Sequence, residues 1–229
     1  MNPHLSIATV CLSGTLEDKL AAAAAARFHG VEIFENDLVA SPWSPRQVRQ
    51  ECARRGLSID LYQPFRDFEA VPPDVFAANL RRAERKFDVL EQLGATTMLV
   101  CSSVSRDAVD DDDLATEQLH ALATRAERRG LRIAYEALAW GRFVNTYAHA
   151  WRIVRRADHP ALGLCLDSFH VLSRATTPPA SGSCPAPRSS TCNWRTRRAC
   201  PSTWSSGAGT TGCFPASARS TWPASSARS

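Results

Sequence analysis

The chain has 229 residues and a formal net charge of +4, from 27 basic and 23 acidic side chains. That surplus does not mark a nucleic-acid or anionic-membrane binder: six arginines fall after residue 174, and the first 174 residues hold 21 basic against 23 acidic groups. No run reaches membrane-spanning length, MNPHLSIATV lacks the basic and apolar regions of a secretory leader, and eight cysteines without a CxxC pair fit a reduced, cytoplasmic chain.

In chain order, six short β-type runs alternate with helical patterns: 6–12, 30–35, 57–63, 96–103, 131–138 and 162–169. Thr15 precedes LEDKLAAAAAARF as an N-cap, and Ser44 followed by Pro45 supplies cap and first-turn proline for RQVRQECARR. Gly30, Gly56, Gly94 and Gly130 each stand between a helix and a strand, the place of a C-cap. The helix in PPDVFAANLRRAERKFDVLEQLG carries charges around an apolar stripe and is predicted to lie in a solvated outer ring; DAVDDDDLATEQ is predicted to open a helix with acidic groups. Cys11, Cys101 and Cys165 sit inside apolar runs, where cysteine serves as a small hydrophobe.

Repeated βα units with nearly continuous apolar strands predict an α/β fold with a parallel sheet, either doubly wound or a (β/α)8 TIM barrel. The first turn, CLSGTLED, has no GxGxxG and no Walker pattern, so the barrel is favoured, with about six of its eight units present. The predicted organisation is a partial barrel over 1–174 and a low-complexity tail over 175–229. Those last 55 residues lack Leu, Ile, Val, Met and Tyr, and a tail of that composition is predicted to be disordered.

Barrel chemistry collects where strands end at their C-terminal side. There stand Glu35, Gln63, Arg66, Glu136, Asp167 and His170. Glu136 and Asp167 interrupt apolar runs on consecutive strands; each alone could be half of a salt bridge, but two buried carboxylates together favour a hard divalent cation, which needs oxygen ligands on rigid elements. His170, three residues past Asp167, is either a proton carrier or a capping histidine. Arg66 can clamp a substrate carboxylate or pair with Asp67 or Glu69.

GVEIFENDL, LYQPFRDFE, RAERKFD, YEALAWGRFVNTY and LCLDSFH together resemble the bacterial 3-dehydroshikimate dehydratases, TIM barrels of the sugar-phosphate isomerase and endonuclease IV superfamily, over about residues 5–174. The resemblance implies a divalent cation (Mg, Mn or Co, with Zn the weaker choice) held by Glu136 and Asp167 plus a glutamine and a glutamate from strands seven and eight. It implies proton transfer by His170, contacts from Arg66, Gln63, Glu35 and Asn145 to a small carboxylate substrate, and no nucleic-acid or membrane partner. Relatives often carry histidine where this chain has Phe143. A sugar phosphate isomerase or epimerase of the same superfamily, or a non-catalytic fragment, are the alternative readings.

Strands seven and eight have no counterpart in the tail as written, and codon overlap offers a reason. Reading the tail from each third base forces the codon across Cys192 and Asn193 to be glutamine or stop, the next to be leucine, and that across Trp222 and Pro223 to be alanine. The tail is therefore expected to be a shifted reading frame that begins near residue 174.

Overall fold

The computed structural model describes residues 4–174; the expectations for 175–229 lie outside them. Six strands form one parallel sheet in strict chain order. They are β1 (Ser6–Ala8), β2 (Gly30–Phe34), β3 (Ser58–Phe65), β4 (Thr97–Cys101), β5 (Arg132–Glu136) and β6 (Leu162–Cys165). The helices are α1 (Leu16–Ala25), α2 (Glu35–Ala40), α3 (Pro45–Arg54), α4 (Pro73–Leu93), α5 (Asp112–Glu127), α6 (Tyr147–Ala157) and α7 (Ser168–Ser173). All six expected strands are present; five are trimmed at their C-terminal ends, and β3 runs two residues further, to Phe65. Val10 and Cys11 belong to a 3-10 turn after β1, and Cys11 is exposed, contrary to its reading as a packed hydrophobe.

The helix starts follow the expected chemistry. Thr15 and Ser44 each close a capping box, with Asp18 and Gln47 as the reciprocal partners. Asp111 caps α5 by accepting from the amides of Asp113 and Leu114. Gly56, Gly94 and Gly130 have the left-handed φ of helix ends, but Gly30 does not: Arg27, with φ 60°, turns the chain after α1. Gly30 is small for another reason. A Cβ there would meet Asp60 Oδ2 at 2.4 Å and Ser58 Oγ at 2.5 Å, part of the polar network that links Ser6 of β1 to β3 across Gly30.

Strand periodicity sorts the side chains into two layers. Val31, Ile33, Tyr62, Phe65, Met98, Val100, Ile133, Tyr135, Leu162 and Leu164 pack against the helices as the main core. Leu61, Leu99, Cys101, Ala134 and Leu138 form a smaller cluster on the opposite, inner face, with Cys165 against it. The charges of α4 do lie outside. Arg129, just past α5, reaches Glu84, Asp88 and Glu91 on α4 and ties the two helices together. No described helix is long and apolar enough to cross a membrane.

Candidate metal centre and active site

The inner face becomes polar at its C-terminal end because the alternation that places Ala134 inward places Glu136 inward as well. Cys101, Glu136 and Cys165 are paired in register across β4, β5 and β6. Asp167 follows by the same two-residue step from Cys165. Its Oδ1 caps α7 by accepting from the Phe169 amide at 2.7 Å, and Oδ2 lies 3.9 Å from His170 Nε2. Ligand atoms of Glu136, Asp167 and His170 lie within 4.8 Å of one another, and this is the one such grouping of metal-type side chains among the described residues.

The electrostatics of the cluster suit a cation. Burial, then the Asp167 charge, push the Glu136 carboxyl up to about 8. Glu32 adds to that shift from β2, where it stands inward between Val31 and Ile33 and accepts from Gln63 Nε2 at 2.9 Å. A carboxylate so placed is costly to ionise alone, and a divalent cation between Glu136 and Asp167 removes that cost. The all-oxygen character of the pair suits a hard cation.

His170 is 9% exposed and wedged edge-on against Trp140 and Phe169, with ring centroids 4.9 and 5.3 Å away. Its Nδ1 accepts from the Ala139 amide at 3.3 Å. A backbone N–H can only donate, so Nδ1 keeps its lone pair and neutral His170 carries its proton on Nε2, the nitrogen that faces Asp167. In this tautomer the ring offers the cluster an N–H and no ligand lone pair. Burial holds its pKa below the ordinary histidine value, against the opposing pull of Asp167.

The other expected residues are placed unequally. Gln63 joins the centre through Glu32. Burial and the Glu136 charge raise the Cys101 thiol pKa, and Arg66 opposes them, which puts its guanidinium within electrostatic reach of the inner face. Asn145 sits on the rim: its Nδ2 donates to the Gly141 carbonyl at 3.3 Å, and its Oδ1 accepts from Arg174 at 3.0 Å. Glu35 stands apart. It opens α2, accepts from Tyr62 Oη at 3.0 Å and pairs with Lys86 on α4. Glu32 was not singled out from the sequence, although the Val–Glu–Ile alternation carries the signal.

The segment 137–146 that lines the rim has little freedom. A Cβ on Gly141 would lie 2.1 Å from the Val144 carbonyl and 2.5 Å from Ser102 Oγ, the atom that accepts from the Leu138 amide. Gly141→Ala is therefore expected to lower stability by about 1–3 kcal/mol, read as a lower urea midpoint with an unchanged slope. An unshifted midpoint would show that the loop has room the backbone contacts deny.

Sequential parallel βα units around an inward cluster of carboxylates define a TIM-barrel scaffold. The chain belongs to the xylose isomerase-like TIM barrel family, which it matches over residues 20–188. Among curated proteins it is similar to the 3-dehydroshikimate dehydratase of Pseudomonas putida, at 60% identity over 175 residues, 76% of this chain and 28% of that protein. The chain thus spans little more than a quarter of that relative. A solved xylose isomerase-like TIM barrel/4-hydroxyphenylpyruvate dioxygenase fusion protein is 57% identical, with TM-score 0.79 over 81% of this chain and 30% of its own. The IolI protein, solved with a zinc atom bound, shares the fold at 18% identity, with TM-score 0.68 over 76% of this chain and 66% of its own.

Proposed function

We propose that residues 4–174 form the first six units of a metal-dependent 3-dehydroshikimate dehydratase barrel. The observation that carries this reading is the convergence of Glu136, Asp167 and His170 at the ends of successive strands, in a stretch 60% identical to a protein of that name. Glu136 and Asp167 would hold a divalent cation of the Mg, Mn or Co type. Such an ion would supply Lewis acidity toward the substrate ketone and the negative charge that develops on it.

The remaining work belongs to the side chains. Arg66 binds the substrate carboxylate. Glu32 and Gln63, already joined at 2.9 Å, offer an acceptor and a donor to ring hydroxyls. Dehydration breaks a C–H bond beside the ketone; its electron pair forms a ring double bond, the hydroxyl leaves as water with a proton, and the ring tautomerises to protocatechuate. His170 moves the proton at Nε2. In the tautomer held by Ala139 it donates to a substrate oxygen. Taking the carbon-bound proton needs a bare Nε2; the ring then carries its proton on Nδ1, which faces the Ala139 N–H, so that amide must turn aside from its 3.3 Å contact.

The tail enters the same proposal as a shifted frame. The nucleotide sequence from about codon 174, read from each third base, is expected to be open and to encode a seventh strand ending near Gln-Leu and an eighth with a nearby glutamate; stops in that frame would make the tail native. A gene restored in this way is expected to convert 3-dehydroshikimate to protocatechuate when Mg, Mn or Co is supplied, and to leave a panel of ketoses unchanged. Turnover of the ketoses with silence on 3-dehydroshikimate would instead make the protein an isomerase or epimerase.

A further inference from the structure

We propose that Cys101 and Cys165 are positioning residues for Glu136: each donates its S–H to one oxygen of that carboxylate, and together they fix the plane in which it meets a cation. The proposal rests on the reading of Glu136 as a cation ligand. Its own basis is geometric. The three residues share one register layer of the inner face, with the glutamate on the central strand and one cysteine on each side. Cys101 Sγ is 3.5 Å from Oε2, and Cys165 Sγ is 3.8 Å from Oε1.

Each thiol has one hydrogen, and the surrounding inner-face cluster of Leu61, Leu99, Ala134 and Leu138 has no side-chain acceptor for it. Each carboxylate oxygen has two lone-pair directions. A thiol on each oxygen uses one direction per atom and leaves the other toward Asp167 and His170, so the group is oriented without being withdrawn from coordination. Disulfide chemistry is not an alternative use for the pair. An intervening strand separates them, which puts their backbones about 9–10 Å apart at the usual strand spacing, beyond the reach of an S–S bond. Neutral thiols at these positions also leave the oxygen ligands in charge of metal choice.

The test uses the 229-residue chain and its Cys101→Ala and Cys165→Ala variants. Infrared difference spectra in the S–H stretching region assign one band to each thiol. Both bands are expected below the frequency of an unbonded thiol, and Glu136→Gln is expected to shift both. Bands at the unbonded frequency, or bands indifferent to Glu136→Gln, overturn the proposal whatever the protein catalyses. Mn(II) affinity, followed by loss of the free-ion EPR signal, is expected to fall about tenfold in each alanine variant and to stay within about threefold of the parent in Cys101→Ser and Cys165→Ser. Equal affinity in alanine and serine variants overturns the positioning role, as does a sulfur-to-metal charge-transfer band on adding Co(II), which would make the thiols ligands. Valine variants keep the volume if alanine unfolds the chain. The Mn(II) comparison is repeated in the frame-restored barrel, which adds the ligands of strands seven and eight; a restored parent that binds no Mn(II) overturns the cation reading of Glu136, and the proposal with it, even where the infrared bands establish the hydrogen bonds.

Discussion

In a barrel completed by frame restoration, Glu136→Gln is expected to weaken divalent-cation binding by at least about 100-fold, or roughly 2.7 kcal/mol, and to abolish turnover with it. The substitution keeps the shape of the side chain and removes its charge. The effect is large because Glu136 is buried and its charge is opposed by Asp167 and Glu32, so that beyond the Cys101 and Cys165 thiols only a cation would support the ionised form. Asp167→Asn is expected to act in the same direction with a smaller loss, since its side chain is 43% exposed and its other oxygen remains engaged in capping α7. His170→Ala separates chemistry from binding. It should leave metal stoichiometry intact and lower kcat by roughly 10²–10⁴, the usual contribution of a positioned proton carrier. Full metal content in both carboxylate variants, measured by elemental analysis after gel filtration, would show these residues to be ordinary ion-pair partners.

The second large effect is expected on stability, from a carboxylate outside the metal centre. Glu69 is 1% exposed; its Oε1 accepts from the Ser103 amide at 2.7 Å and from Tyr135 Oη at 2.9 Å, while Oε2 is buried without a partner. Burial raises its pKa to about 7, against the hydrogen bonds that oppose the rise. Because the folded value lies above the ordinary carboxyl value, the native state holds a proton there that the unfolded chain has released. Between those two values the unfolded state binds fewer protons, so stability falls as pH rises. The stabilising contribution is complete below about pH 4.5 and is lost through about pH 7, a change on the order of 3 kcal/mol. Glu69→Gln mimics the protonated group and is expected to flatten that part of the slope between urea midpoints taken at pH 5 and pH 8. The residual slope has the same sign, since Glu136 is also shifted upward. Parallel slopes in parent and variant would mean that Glu69 is already ionised at pH 5.

Much of this was legible in the chain because the barrel repeats a simple code. Apolar runs flanked by capped helices give the strand count and order, and an acidic residue inside such a run, as at Glu136, has to be an inward polar group or a mistake. Glu35 was chosen where an apolar run turns polar, but the helix begins there, and the inward carboxylate of β2 is Glu32, one strand period before Phe34. Glu69 left no comparable signal. Its burial depends on the left-handed turns at Asp67 and Ala70, with φ 56° and 54°, which set DFEAV against the segment after β4, and on Asn79 and Gln118, which bind the carbonyls of Phe68 and Val71. Such clamps join residues far apart in the chain and cannot be read from local periodicity. Gly30 was misread for a related reason: its smallness answers to Asp60 and Ser58, which lie across the sheet and not along the helix that precedes it.

The strictly sequential strand order also bears on how the molecule is made. Every described strand after β1 hydrogen-bonds the strand that precedes it in the chain, so each later βα unit finds its docking surface already built when it leaves the ribosome. Each pairing spans a single βα unit and waits for no strand further along the chain, an order that suits vectorial assembly during synthesis. A change of frame after β6 would therefore meet a chain whose first six units are already laid down in order. It would cost the ring its closure, which the growing sheet does not need until its last strand is in place.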